Sequence, residues 1–329
     1  MQYHWSDTLV KVLCSVFGPV GFLLNLILAY LIIKFTPGSL KTYSVMLLIV
    51  SLSDSATAFA GAMTAPRIFP TGTQFFAIFR GPCDIFFNSR TAKSQFCMFF
   101  YDLQLWPFYL NYIMLIASFI YRTLIITKAF DRLNRVAVYS FCYVYTLLHI
   151  AFFNYIYYAS LEPIEKIDEA MAKVRPELLG SNLTYFGVLD LSSPEQSIMQ
   201  AVSVLLSWPA VIVSLSCRFL IKKFIVKFHH SIASKKLQRS VANVLLVQAI
   251  APMWTCISGI VYVAARAEGE CPLCENFMLL PVLMFTVINP ICTISFITPY
   301  KAAVYGWLKK VKNSVRPSIT SSPPNQVLF

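Results

Sequence analysis

Charge is what this sequence has least of. Only 13% of its 329 residues are Asp, Glu, Lys or Arg, and acids are the scarcer sign, 15 against 27 basic residues. A soluble domain carries about 25% charged residues, so a water-facing globular surface is excluded. Histidine is scarce as well, with four in the chain. His149 stands alone in an apolar stretch, without the neighbouring acid an intramembrane enzyme would need, and reads as a packing histidine. Residues 276–298 contain no lysine, which excludes a Schiff-base-linked chromophore there. No soluble domain, linker or internal repeat is visible, and a transporter would be expected to show repeat symmetry. No cleavable leader is evident, because the first apolar run is too long for one and no basic stretch precedes it. No catalytic group, metal or cofactor is expected.

What is abundant is apolar sequence: 57% of residues are hydrophobic and the mean hydropathy is +0.64. Seven segments are long and apolar enough to cross a bilayer, about 12–33, 43–65, 96–126, 136–159, 196–221, 240–265 and 276–298. Most of the 27 Lys and Arg fall in the loops on one side of these segments, among them Lys34, Lys41, Lys128, Arg132, Arg135, Lys222, Lys223, Lys227, Lys235, Lys236 and Arg239, opposed there only by Asp131. That asymmetry is the signature of a cytoplasmic face, not of a groove for nucleic acid. An odd number of crossings then places the N-terminus outside. The expected fold is an all-α membrane protein: a seven-helix bundle over residues 1–313, ending in a short interfacial helix, with a disordered cytoplasmic tail over 314–329.

The third segment organises the rest. From Cys97 to Arg122 an apolar helix covers about 38 Å, more than the hydrocarbon core of about 30 Å. Its polar side chains Gln104, Asn111, Ser118 and Arg122 share one face with Phe108 and Leu115. A helix surrounded by lipid has no use for such a stripe, so this face meets protein or a water-filled interior. The second segment buries Asp54. A carboxylate at that depth costs about 2.5–3.5 kcal/mol on insertion scales. It reads either as a polar knot with Asn25 and Asn289 or as an ion or proton site using the same residues.

Of nine cysteines, Cys14, Cys142, Cys217, Cys256 and Cys292 sit in apolar segments and read as packing residues. Cys83, Cys97, Cys271 and Cys274 all fall on the oxidising side. Four cysteines allow three pairings, and Cys83–Cys97 with Cys271–Cys274 is favoured over the other two. The second outer loop, about 161–195, contains a stretch from Glu162 to Val174 suited to an amphipathic helix and a glycosylation acceptor at Asn182. Trp208-Pro209 lies in the fifth segment, and Pro252 with Trp254 marks a kink in the sixth. In the seventh, Pro290 frees a backbone carbonyl that the adjacent Asn289 amide can satisfy. Thr298-Pro299 then opens a helix with an apolar stripe of Tyr300, Val304, Trp307, Leu308 and Val311, fit to lie on the inner membrane surface.

Taken together, Asn25, Asp54, Cys97, Arg122, Trp208-Pro209, Pro252 and Asn289-Pro290 resemble seven-helix G-protein-coupled receptors. The runs Leu24-Asn25, Thr36 to Ser44, Gly81-Pro82-Cys83, Ser118 to Arg122, and Asn289-Pro290 through Thr298-Pro299-Tyr300-Lys301 sharpen this to a resemblance to the nematode serpentine chemoreceptors of the delta (Srd) class. The resemblance implies a chemosensory, olfactory-type receptor in the plasma membrane of sensory neurons. It would bind a small, neutral external ligand and activate a heterotrimeric G protein at its cytoplasmic face. The ligand pocket expected is lined by Tyr101, Gln104, Leu105, Phe108, Trp208 and Trp254. Coupling and switching fall to Asn25, Asp54, Tyr121, Arg122, Pro252, Asn289 and Pro290. Departures stand beside the match: no cysteine in the second outer loop, no acid before Tyr121-Arg122, and Thr293 four residues after Asn289. The alternative is a channel or transporter without G-protein coupling.

Overall fold

The computed structural model describes residues 5–126, 135–159, 161–176, 183–198, 257–266 and 271–315, with isolated helical positions between 201 and 223. Helix α1 (Trp5–Phe35) and α2 (Lys41–Thr64) are followed by a hairpin of β1 (Arg67–Thr71) and β2 (Gln74–Phe79). Then come α3 (Arg90–Ile126), α4 (Arg135–Ala159), the short α5 (Ile164–Val174) and β3 (Thr184–Val188). The described chain continues with the apolar α6 (Ile257–Arg266), then α7 (Pro272–Phe277), α8 (Leu280–Phe296) and α9 (Thr298–Val315). Among the described residues, five helical stretches are long and apolar enough to cross a membrane: α1, α2, Arg90–Tyr121 of α3, Val136–Ala159 of α4, and Pro272–Phe296. The expected fifth segment and most of the sixth lie outside the described residues.

Helix α2 is the hub of the described bundle, packing along α1 on one side and α3 on the other, while α1 also packs along α8. The α1–α2 contact is close because it is built from small residues. A Cβ added at Gly18 would stand 2.4 Å from Ala62 Cβ and 2.9 Å from the Ala58 carbonyl oxygen. Between membrane helices, where lipid is as apolar as leucine, such close backbone approach is what packing can exploit. The lipid-facing sides of the helices carry large apolar residues, for example Leu23 of α1, Leu52 of α2, Leu148 of α4 and Ile260 of α6, all exposed.

At one end of the bundle, called here the sheet end, the connections fold into a three-stranded antiparallel sheet in the order β1-β2-β3. The alternation of apolar helices did not announce it. Its strands are aromatic and β-branched, as in Phe75-Phe76-Ala77-Ile78-Phe79, and such residues fit a pleated surface. Gly72, at φ 54°, makes the hairpin turn that a residue with a Cβ would resist. The last carbonyl of α2 is satisfied by the chain just after β2: the amides of Arg80 and Gly81 both donate to the Thr64 oxygen at 3.0 Å. Helix α5 covers the sheet with Ile167 and Met171, which join Phe76, Phe79, Cys97 and Tyr101 in one buried cluster. The stretch expected to be an amphipathic helix forms one over Ile164–Val174, and its apolar side is a lid on the sheet.

One boundary differs from the sequence reading. The seventh segment is broken at Met278-Leu279 into α7 and α8, and each piece has a proline in its first turn, where the missing amide costs nothing. Helix α9 begins at Thr298 as expected. Its Tyr300 is buried, with Val304 and Trp307 packed on the same cluster as Leu28 and Phe119, while Leu308 and Val311 are exposed.

Candidate functional site

The buried polar side chains form layers between α1, α2, α3 and α8. In the central layer Asp54 Oδ1 accepts from Asn111 Nδ2 of α3 at 2.6 Å, and Asp54 Oδ2 accepts from Asn289 Nδ2 of α8 at 2.6 Å. One carboxylate therefore ties three helices together. Asn25 is not bonded to it directly. It sits in an adjoining layer, where its backbone oxygen accepts from Ser51 Oγ at 2.8 Å and its amide donates to the carbonyls of Gly21, 2.9 Å, and Thr286, 2.8 Å. The second of these corrects the expectation for the Asn-Pro pair. Pro290 lacks the amide that would bond the carbonyl four residues earlier, and that carbonyl belongs to Thr286. Asn25 of α1 supplies the missing donor; Asn289 is spent on Asp54. Thr293 hangs at 3.5 Å from Asn289 Oδ1.

From Gln104 through Asn111 to Ser118 the polar stripe of α3 faces protein, and that protein is α2. Gln104 Oε1 accepts from Thr64 Oγ1 at 3.2 Å, Asn111 reaches Asp54, and Ser118 Oγ lies 3.3 Å from Met46 Sδ. Of the expected pocket residues, Tyr101 is buried beneath the sheet with its ring 6.1 Å from Phe75 and 6.2 Å from Phe79. Leu105 packs on the same cluster, and Gln104 is buried against α2. The three are brought together at the sheet end. The side chain of Phe108, and Trp208 and Trp254 entirely, lie outside the described residues, as does Pro252.

The sequence reading missed an acid. Asp102, one position after Tyr101, has a buried oxygen, Oδ2, with no hydrogen-bond partner among the described residues. Its signal was present: it is a second carboxylate inside an otherwise apolar segment. His149 is satisfied, its Nε2 lying 2.8 Å from the Trp106 carbonyl.

The sheet end also holds a buried ion cluster that charge counting could not place. Arg80 reaches Asp7 Oδ1 at 2.6 Å and Asn276 Oδ1 at 2.5 Å. Arg67 contacts Glu275 Oε2 at 2.6 Å and Asp7 Oδ1 at 3.3 Å, and Arg175 reaches Glu275 Oε1 at 3.1 Å. The start of α1, the hairpin, the loop after α5 and the head of α7 meet in this one group. Burial lowers the Arg80 pKa from its ordinary value, Asp7 works against that, and the neighbouring Arg67 adds to it. Nearby, Arg90 at the head of α3 forks onto Asp168 of α5 at 2.7 Å and stacks over the Tyr185 ring of β3.

Two disulfides complete this end. Cys83 is joined to Cys97, with Cα atoms 5.3 Å apart, and Cys271 to Cys274. The first pins the chain after β2 to α3; the second closes the turn that presents Glu275 and Asn276. Asn182, the acceptor of the sequon, lies outside the described residues. At the opposite, basic end, Tyr121 packs between two apolar clusters. Arg122 belongs to α3, and its side chain is outside the described residues. Thr36 Oγ1 and Tyr300 OH, 2.7 Å apart, tie α1 to α9.

Comparison with known proteins agrees with this architecture. A family model described as "Serpentine type 7TM GPCR chemoreceptor Srd" matches residues 10–306. Among curated relatives, serpentine receptor class delta-3 of Caenorhabditis elegans is 23% identical, over 92% of this chain and 88% of its own length. Serpentine receptor class delta-2 of the same organism is 25% identical over 96% and 88%, and class delta-33 is 24% identical over 98% and 93%. With a family model spanning nearly all of the bundle, apolar helices to match and full-length relatives, the chain is a multi-pass membrane protein and belongs to the serpentine seven-transmembrane GPCR chemoreceptor family Srd.

Proposed function

We propose that this chain is a chemosensory receptor, not an enzyme, working in the plasma membrane of sensory neurons. The sheet end faces outside and receives a small, neutral, mostly apolar ligand. The basic end faces the cytoplasm and activates a heterotrimeric G protein. Tyr101, Gln104, Leu105, Phe108, Trp208 and Trp254 line the ligand pocket, and Tyr121 with Arg122 forms part of the coupling surface.

The observation that carries this reading is the Asp54 bridge. A carboxylate held at 2.6 Å from both Asn111 and Asn289 joins α2, α3 and α8 midway between the two ends. Gln104 and Ser118 extend the same face of α3 on either side of it. A shift of α3 against α8 strains at least one of those two bonds, so the layer can relay occupancy to the basic end. The basic loops beside that end, with one acid among them, complement an acidic partner surface.

The test is nucleotide exchange. Receptor purified into nanodiscs with a heterotrimeric G protein is challenged with a panel of volatile and water-soluble neutral odorants, and at least one should accelerate exchange in the receptor-containing discs alone. Ligand-gated ion flux through liposomes in the absence of any exchange would replace this reading with a channel.

A further inference from the structure

The chain between the first disulfide cysteine and α3 carries an unusual surface for a loop in water. Its acid is tied to the protein: Asp84 accepts from the Thr184 hydroxyl of β3 and lies 3.7 Å from Lys93 of α3. The three residues that follow point outward instead. Ile85 is 79% exposed, Phe86 60% and Phe87 42%. Three large apolar side chains exposed together on one short segment are the informative feature, since a water-facing loop gains nothing by it.

What covers this patch is indicated by its continuity with surfaces that already face lipid. The rings of Phe86 and Phe87 stand 5.6 and 5.0 Å from that of Phe96 on α3. Phe96 contacts Phe100 at 5.0 Å, Phe100 contacts Phe59 of α2 at 5.8 Å, and Phe59 contacts Phe22 of α1 at 5.6 Å. The row thus runs unbroken from the loop onto three membrane-spanning helices, and Phe59 is itself exposed on their flank. Depth is set by a second aromatic contact. Phe99 meets Tyr157 at 6.3 Å, beside the exposed Tyr155 and Tyr158 at the end of α4, and tyrosines at a helix end mark the headgroup level. Phe96 lies three residues before Phe99, about 4.5 Å further along α3 toward its start. That puts the loop in the interfacial zone, where aromatic rings are favoured.

We infer that Ile85-Phe86-Phe87 is a membrane-dipping loop, seated among the phospholipids of the leaflet at the sheet end and held there by the Cys83–Cys97 disulfide. The occupant of the patch is the bilayer itself. Through Cys83, one residue before Asp84, the loop gives the sheet a footing in the membrane beside α3.

Photocrosslinking tests this. Phe86→p-benzoylphenylalanine keeps an aromatic side chain in place, and the full receptor carrying it is irradiated in phosphatidylcholine nanodiscs and in cell membranes. The expected result is a mass increase of one phospholipid on the peptide containing residue 86, in a yield comparable with the same replacement at the lipid-facing Phe99 and far above that at Ser192. Ile85→p-benzoylphenylalanine is the second position, used if the first variant loses the Cys83–Cys97 bond. Lipid adducts at 99 without any at 85 or 86 would overturn the inference. So would adducts at these positions dominated by a second receptor copy or another protein.

Discussion

Asn25 of α1 donates to the Thr286 carbonyl of α8 at 2.8 Å, and Thr286 is the residue whose helical donor Pro290 removes. The two sites are 261 positions apart in sequence, yet the substitution chemistry of one should depend on the other. Asn25→Leu should cost about 1–3 kcal/mol, the penalty for stranding a buried carbonyl. In a Pro290→Ala background the helix has its own amide again, and the same substitution should cost distinctly less. Thermal unfolding of the four proteins in one detergent gives the coupling directly. Equal losses in both backgrounds would show that Asn25 serves some other contact.

The ion cluster at the sheet end should be far more sensitive than the ion pair beside it. Glu275 is 2% exposed and serves both Arg67 and Arg175, so Glu275→Ala removes a buried carboxylate that two largely buried arginines share and should cost about 3–5 kcal/mol. Arg90 is half exposed, and its pairing with Asp168 should be worth only about 0–1 kcal/mol. Melting temperatures of Glu275→Ala and Arg90→Ala, compared at low and high salt, check both halves. The Arg90 effect should fade with salt and the Glu275 effect should persist, because buried pairs are poorly screened.

The Cys83–Cys97 bond closes a loop with a sequence separation of 14, and a loop of that size is worth about 3 kcal/mol in the chain-entropy model. Cys83→Ser with Cys97→Ser should lower stability by that order. Hydrogen exchange in β1, β2 and the Ile85-Phe86-Phe87 loop should rise, and exchange around Asp54 should not. Uniform loosening of the whole bundle would mean that the disulfide supports the helices and not the sheet.

Arg122 ends the polar face that starts at Gln104. Arg122→Ala should abolish ligand-stimulated nucleotide exchange while surface expression and ligand binding stay close to the parent protein. A charge kept only to orient the helix would tolerate Arg122→Lys and Arg122→Ala differently in topology but not in exchange, so both variants are assayed for each. Full exchange in Arg122→Ala would reduce this residue to an anchor.

The described membrane-spanning helices, the polar face of α3 and the disulfide role of four cysteines were legible in the residues. Hydropathy, helical spacing and compartment chemistry act along the chain or on each residue by itself, and a linear reading captures them. Asp54 could be marked as an anomaly for the same reason: a lone acid in an apolar run violates a local rule. Its partners could not be chosen, because Asn25, Asn111 and Asn289 are equivalent in sequence, and only helix packing decides that Asn289 meets the carboxylate and Asn25 the carbonyl freed by Pro290. The sheet was hidden because its strands are short, unalike in pattern and drawn from two loops about a hundred residues apart. The buried group of Asp7, Arg67, Arg80, Arg175 and Glu275 was hidden more deeply still. Each of its members reads as an ordinary loop or terminal charge, and burial becomes tolerable only once α1, the hairpin and the head of α7 converge to pair them. Local physics set the spans; the pairing of scarce polar groups across them was a decision of tertiary structure, since a charge can leave water only where another element brings its partner.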